Sequence, residues 1–137
     1  MTSTKIINRV LDRDHRMCVI RGPFCTVHAT CADHRAGRGA GGSPILDDPA
    51  NLIAACQLCN VWKEDATGPD REKLIHRGVR LVKRATNEAT LELARIIPLR
   101  FPDGTSWRLN SDGTKHQLVA AEAQEILALY GIHGAVA

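Results

Sequence analysis

The stretch from Cys18 to Asn60 decides how this chain is read. It runs Cys18-x6-Cys25, then Asp33-His34, then Asn51, then Cys56-Gln57-Leu58-Cys59-Asn60. Two cysteine pairs bracket an acid–histidine step and two asparagines. Thiolates at short chain separations can share one tetrahedral zinc ion, and Cys56 and Cys59 have the spacing of such a knuckle. Cys18 and Cys25 span Arg21-Gly22-Pro23, a turn able to aim both sulfurs at one point. A lone CxxC is equally a redox motif, and buried cysteines also pack as small hydrophobes. Two flanking pairs favour zinc on Cys18, Cys25, Cys56 and Cys59. Cys31 sits two residues before Asp33, so on a strand the two side chains share one face, beside the catalytic group. Cys31 and His28 stand as the alternative ligands.

The residues between the pairs read as a catalytic centre. The phosphodiester hydrolysis that a family resemblance implies needs a proton acceptor for the attacking water and stabilisation of charge on the phosphoryl and leaving oxygens. His34 has an imidazole whose ordinary pKa of about 6.5 makes it a base near neutrality. Asp33 and Asn60 offer oxygens to a hard divalent cation, magnesium or manganese. Arg35, Arg38 and Lys63 are candidate phosphate contacts; Lys63 follows Asn60 by three residues, on the same helix face.

These elements together resemble the HNH endonucleases, particularly the small zinc-clamped members common in bacteriophages and prophages. The matching residues are Cys18, Cys25, Asp33-His34-Arg35, Gly41-Gly42-Ser43, Asp48-Pro49-Ala50-Asn51-Leu52, Cys56 to Asn60, and Lys63, within about residues 10 to 68. Many members carry His where this chain has Asn60, making it an H-N-N variant; in members with Asn there, that residue resembles a metal ligand. The resemblance implies an α+β fold, a ββα-metal finger with a structural zinc knuckle. It implies metal-dependent nicking or cutting of DNA, and a place in phage DNA processing or packaging alongside packaging proteins. In the family, the residue matching Asn51 orders the loop that positions the histidine. Two other readings are a non-catalytic zinc module that binds DNA and a redox or metal-storage protein built on CxxC. Asp33-His34 has no role in the last.

With 137 residues the chain fits one domain, a core at about 14–67 and a bracing region at about 96–131. No apolar run reaches a membrane span, and residues 1–9 lack a signal peptide's apolar segment, so a cytoplasmic protein with reduced thiols is expected. The net charge of +3 permits nucleic-acid binding without demanding it. Six basic residues against the single acid Glu72 between Arg71 and Arg84 could extend a phosphate track or form a solvated face.

Along the chain, apolar spacing predicts a helix over 4–12. Short extended pieces are expected at 18–20 and 26–30, with strand character through His34. Six breakers between 35 and 50 predict a long loop. Residues 51–55 read as a strand pairing back, and Cys56 as the turn into a helix through about Ala66. A short helix from Asp70 to His76 and an extended piece from Val79 to Lys83 follow. Asp103-Gly104 and Asp112-Gly113 predict hairpin turns joining strands 97–101, 106–110 and 115–119 into a meander, with Trp107 and Leu109 on one core-facing side. Residues 120–130 read as a terminal helix ended by Gly131.

Overall fold

The structure, a computed structural model, describes residues 2–82 and 85–133. Helix α1 (Thr4–Arg13) starts where Ser3 Oγ accepts the Ile6 N–H at 3.2 Å, an N-cap that satisfies one free amide. Its Val10 and Leu11 are buried. His15 and Arg16 then take positive φ of 57° and 55°, which reverses the chain into the first cysteine turn. Strand β1 (Cys31–His34) pairs antiparallel with β2 (Leu52–Ala55), setting Asp33 opposite Ile53 and His34 opposite Leu52. All four β2 residues are buried, so this strand lies inside the molecule. The first cysteine turn hangs on it: the Val19 N–H donates to Ala54 O, and the Thr30 N–H to Ala55 O, both at 2.9 Å.

Helix α2 (Gln57–Asp65) begins at Cys56, α3 (Gly68–His76) follows, and α4 (Glu88–Ile96) is capped by Asn87 Oδ1 on the Ala89 N–H. The meander β3 (Leu99–Arg100), β4 (Ser106–Leu109) and β5 (Lys115–Leu118) is antiparallel in the order β3-β4-β5, and α5 (Ala120–Leu129) closes the described chain. Both Asp-Gly turns form as expected. Asp103 and Asp112 accept from the N–H two residues on, and Gly104 and Gly113 take φ of 87° and 88°. Leu99 and Leu109 enter the same core as Leu11, Val19, Ile53 and Leu74, so the meander braces the β1–β2 unit. Each such fully buried leucine contributes about 1.5–3 kcal/mol. The architecture is mixed α+β, with small antiparallel sheets among the helices.

Several expectations shift. Residues 18–20 and 26–30 form no named strands; an isolated bridge joins Met17 and His28. Asn51 belongs to a 3-10 turn (Pro49–Asn51), and a second such turn (Pro44–Leu46) interrupts the long loop. Residues 79–82 form no strand, and Lys83 lies outside the described residues. The strand expected from Ile97 shortens to β3. Ile97 caps α4, and Pro98 has no N–H to give a ladder. Trp107 is half-buried beside Phe101, edge to face at 6.2 Å, with Lys115 Nζ 4.3 Å from both ring centres. Among the described residues, no helix is long and apolar enough to cross a membrane.

Candidate functional site

Two constellations lie at opposite ends of β1. At the first, the Sγ atoms of Cys18, Cys25, Cys56 and Cys59 all lie within 4.8 Å of one another, three of the residues buried and Cys25 half-buried. None of the four is in a disulfide. A tetrahedral zinc–thiolate centre sets its sulfurs ~3.8 Å apart, close to this arrangement. The backbone points donors at the sulfurs. Gly22 N–H reaches Cys59 Sγ at 3.3 Å, Thr26 N–H reaches Cys56 Sγ at 3.5 Å, Val27 N–H reaches Cys25 Sγ at 3.3 Å, and Cys59 N–H reaches Cys56 Sγ at 3.4 Å. Such donors favour thiolate. Arg21 and Val27 hold left-handed φ of 54° and 72° to achieve this, a strained choice for a β-branched valine. At Gly22 a Cβ would fall 2.7 Å from the Trp62 ring, so only glycine lets the turn close against α2.

Burial pushes the Cys18 and Cys59 thiols up. Burial also opposes ionisation of Cys56, but the Thr26 and Cys59 donors outweigh it and bring that thiol down to about 6. Four thiolates this close cannot coexist without a cation. With a dication they can all ionise, so the donor set fits a metal such as zinc. Cys31 stands outside the group: its thiol donates to Ala55 O at 3.3 Å and accepts from Asn60 Nδ2 at 3.8 Å. His28 is exposed and also outside it.

At the second constellation, alternation along β1 sends Asp33 and His34 in opposite directions. Asp33 is buried toward α2, where Lys63 Nζ lies 2.9 Å from its Oδ2 and 2.6 Å from His34 O. The ion pair lacks hydrogen-bond geometry. Oδ2 is the one buried side-chain oxygen or nitrogen among the described residues without a hydrogen bond. Burial pushes the Asp33 carboxyl up, against the pull of Lys63. Asn60 touches Cys31 and Lys63 touches Asp33, so one face of β1 lies on one face of α2, with Asn60 and Asp33 diagonal across it.

His34 turns the other way, toward the loop. Its Nε2 lies 2.7 Å from Asp47 Oδ1, and the side chain is 20% exposed. Asp47 also accepts from Thr2 Oγ1 at 3.0 Å and from Arg38 Nη1 at 3.2 Å. Asn51 is fully buried. Its Oδ1 accepts the Ala36 N–H, and its Nδ2 donates to Ala36 O and Leu46 O. That stitches both ends of the 35–50 loop together behind His34. Asp47 was not singled out from sequence. Its partner is thirteen positions away across a glycine-rich loop, and no local pattern marks it.

Two expected phosphate contacts are corrected. Arg35 is buried, and its guanidinium donates to Gly78 O, Ala50 O, Ala94 O and Ile97 O at 2.7–3.0 Å. It cannot reach a phosphate. Lys63 is buried as well and committed to Asp33 and His34 O. Arg38 keeps partial exposure beside Asp47. The basic run after Arg71 is partly internal. Arg77 donates to Val19 O and Ile20 O, and Arg80 to Lys63 O; Lys83 and Arg84 lie outside the described residues. A cleft of about 350 Å³ beside Asp47 is lined by Lys5 and Arg9 of α1 together with the carboxylates Asp47, Asp48 and Asp112, so its wall carries both signs of charge.

Compared with known proteins, the chain matches no family model, no curated protein and no solved structure.

Proposed function

We propose that this chain is a metal-dependent endonuclease of the HNH type, hydrolysing DNA phosphodiester bonds, with β1, β2 and α2 as its ββα-metal finger. The observation that carries the reading is the split at the end of β1. Asp33 faces α2 beside Lys63, on the strand face whose Cys31 touches Asn60, while the adjacent His34 faces the 35–50 loop with its ring anchored. That is the separation the reaction needs: a metal-binding side and a proton-accepting side. His34 takes the proton of the attacking water. Asp33 and Asn60 are the residues that would hold magnesium or manganese, the ion displacing the Lys63 ammonium that now lies 2.9 Å from Asp33 Oδ2. When bound, such an ion neutralises charge on the phosphoryl and departing oxygens. Zinc on the four cysteines holds the first turn against α2 and so fixes the frame of β1. Arg38 and the Lys5–Arg9 wall meet the DNA backbone. A phage packaging setting rests on the resemblance alone.

A second reading is a zinc-containing DNA-binding module without catalysis. The observation favouring it is the Lys63 ammonium beside Asp33, which already supplies the carboxylate with a cation. Incubating purified protein with supercoiled plasmid, with magnesium or manganese and with chelator, separates the two. Metal-dependent nicking is expected, and His34→Ala should lower the rate by about a hundred- to ten-thousand-fold while the protein still shifts DNA. Binding without cleavage under any of these ions would select the second reading. Undiminished cleavage by His34→Ala would remove His34 from the chemistry.

A further inference from the structure

The ring of His34 is anchored by a carboxylate. Asp47 lies at the end of the Pro44–Leu46 turn, its N–H bonded to Pro44 O at 3.1 Å. Asp48 caps the next turn through the Ala50 N–H, and Asn51 holds Leu46 O at 3.0 Å. The residues on both sides of Asp47 are therefore fixed, and so is its backbone. Its carboxylate collects three donors: the His34 ring, the Thr2 hydroxyl and the Arg38 guanidinium. An ionised carboxylate only accepts. In the 2.7 Å contact the proton must then sit on His34 Nε2. A neutral imidazole protonated there carries its lone pair on Nδ1.

We infer that Asp47 is a positioning residue for His34, fixing the tautomer that makes Nδ1 the proton-accepting atom. This rests on the endonuclease reading for its catalytic consequence, though not for the tautomer. It also gives Asn51 a physical route to the histidine, through Leu46 and Asp47. Orientation of an imidazole by a carboxylate on its far nitrogen is the general means of selecting the reactive one.

The test pairs spectroscopy with kinetics. Ring-nitrogen NMR shifts of 15N-histidine-labelled wild type with the His34 ring neutral should show Nε2 protonated and Nδ1 bare. In Asp47→Asn the two tautomers should mix. Plasmid cleavage by Asp47→Asn should fall on the order of ten- to a hundred-fold in kcat, with KM nearly unchanged. A wild-type spectrum showing Nδ1 protonated overturns the inference, whether or not the variant folds. So does an unchanged kcat in a folded Asp47→Asn protein. A wild type that cleaves nothing but shows the Nε2–H tautomer, mixed in the variant, sinks the endonuclease reading while upholding the hold of Asp47 on His34.

Discussion

Arg35 follows His34 directly, and its neighbour's chemistry makes it look like a phosphate ligand. Its surroundings make it a structural cation. It finds no carboxylate and is satisfied by carbonyls from four places: Ala50 before β2, Gly78 after α3, and Ala94 and Ile97 at the end of α4. The last two are at the negative end of that helix dipole, where a cation is favoured. Burial lowers its pKa to about 9, which leaves it charged at neutral pH. Lysine has neither the planar fork nor the donor count to replace it. Gly78 is bound into the same arrangement, since a Cβ there would fall on Pro98 O and reach Arg35 Nη2. Arg35→Ala is expected to cost about 3–5 kcal/mol, because it strands several buried carbonyls and opens a cavity. Urea unfolding checks this. A variant of unchanged stability but weaker DNA binding would restore the phosphate role.

At the scale of elements, what was legible in the sequence is what local chemistry decides. The Asp-Gly pairs dictate hairpin turns through their own side chains and the positive φ of Gly104 and Gly113, and apolar spacing alone marks α1. The cysteine pairs likewise converge because each closes a short turn. Helix α4 was not read, although Asn87 and Glu88 form a serviceable start. Its Leu91-Glu92-Leu93 alternates like a strand, and its C-terminal carbonyls are secured by Arg35, fifty-nine or more positions away. Separations of thirteen and thirty positions likewise hid the pairing of Asp47 with His34 and of Lys63 with Asp33. The fifth cysteine shows the reverse case, where period-two alternation was enough. Cys31 and Asp33 face α2, and the clamp forms without Cys31. Cys31→Ser should therefore retain about one zinc per chain, while Cys18→Ser should lose tight binding. Metal analysis of both variants after dialysis decides it, and zinc lost from Cys31→Ser alone would reassign the ligand.

Across the whole molecule, arginines do internal work that a charge count cannot reveal. Arg13, Arg35, Arg77 and Arg80 all donate to backbone carbonyls from buried or half-buried positions, so part of the positive charge is turned inward. The cysteine clamp belongs to this same interior. Cys18, Cys56 and Cys59 sit in the main apolar core with Val19, Ile20, Leu74 and Val79, and Arg77 ties Val19 and Ile20 to the chain after α3. A metal held there would therefore neutralise crowded thiols in the core itself, not at a detachable edge. Structural zinc sites supply about 10–16 kcal/mol of binding free energy in small zinc-finger peptides, against total stabilities of about 5–15 kcal/mol for whole domains. Stripping zinc with a strong chelator is expected to lower Tm by more than about 10 °C. Protons compete with the metal for the sulfurs, so the zinc-dependent part of stability is present at neutral pH. It is lost as pH falls and protons displace the metal from the thiols, including Cys18 and Cys59, which burial already favours in the protonated form. Thermal melts with and without chelator across that range test this. Coincident melts at neutral pH, with zinc confirmed removed, would show that the core holds without the ion.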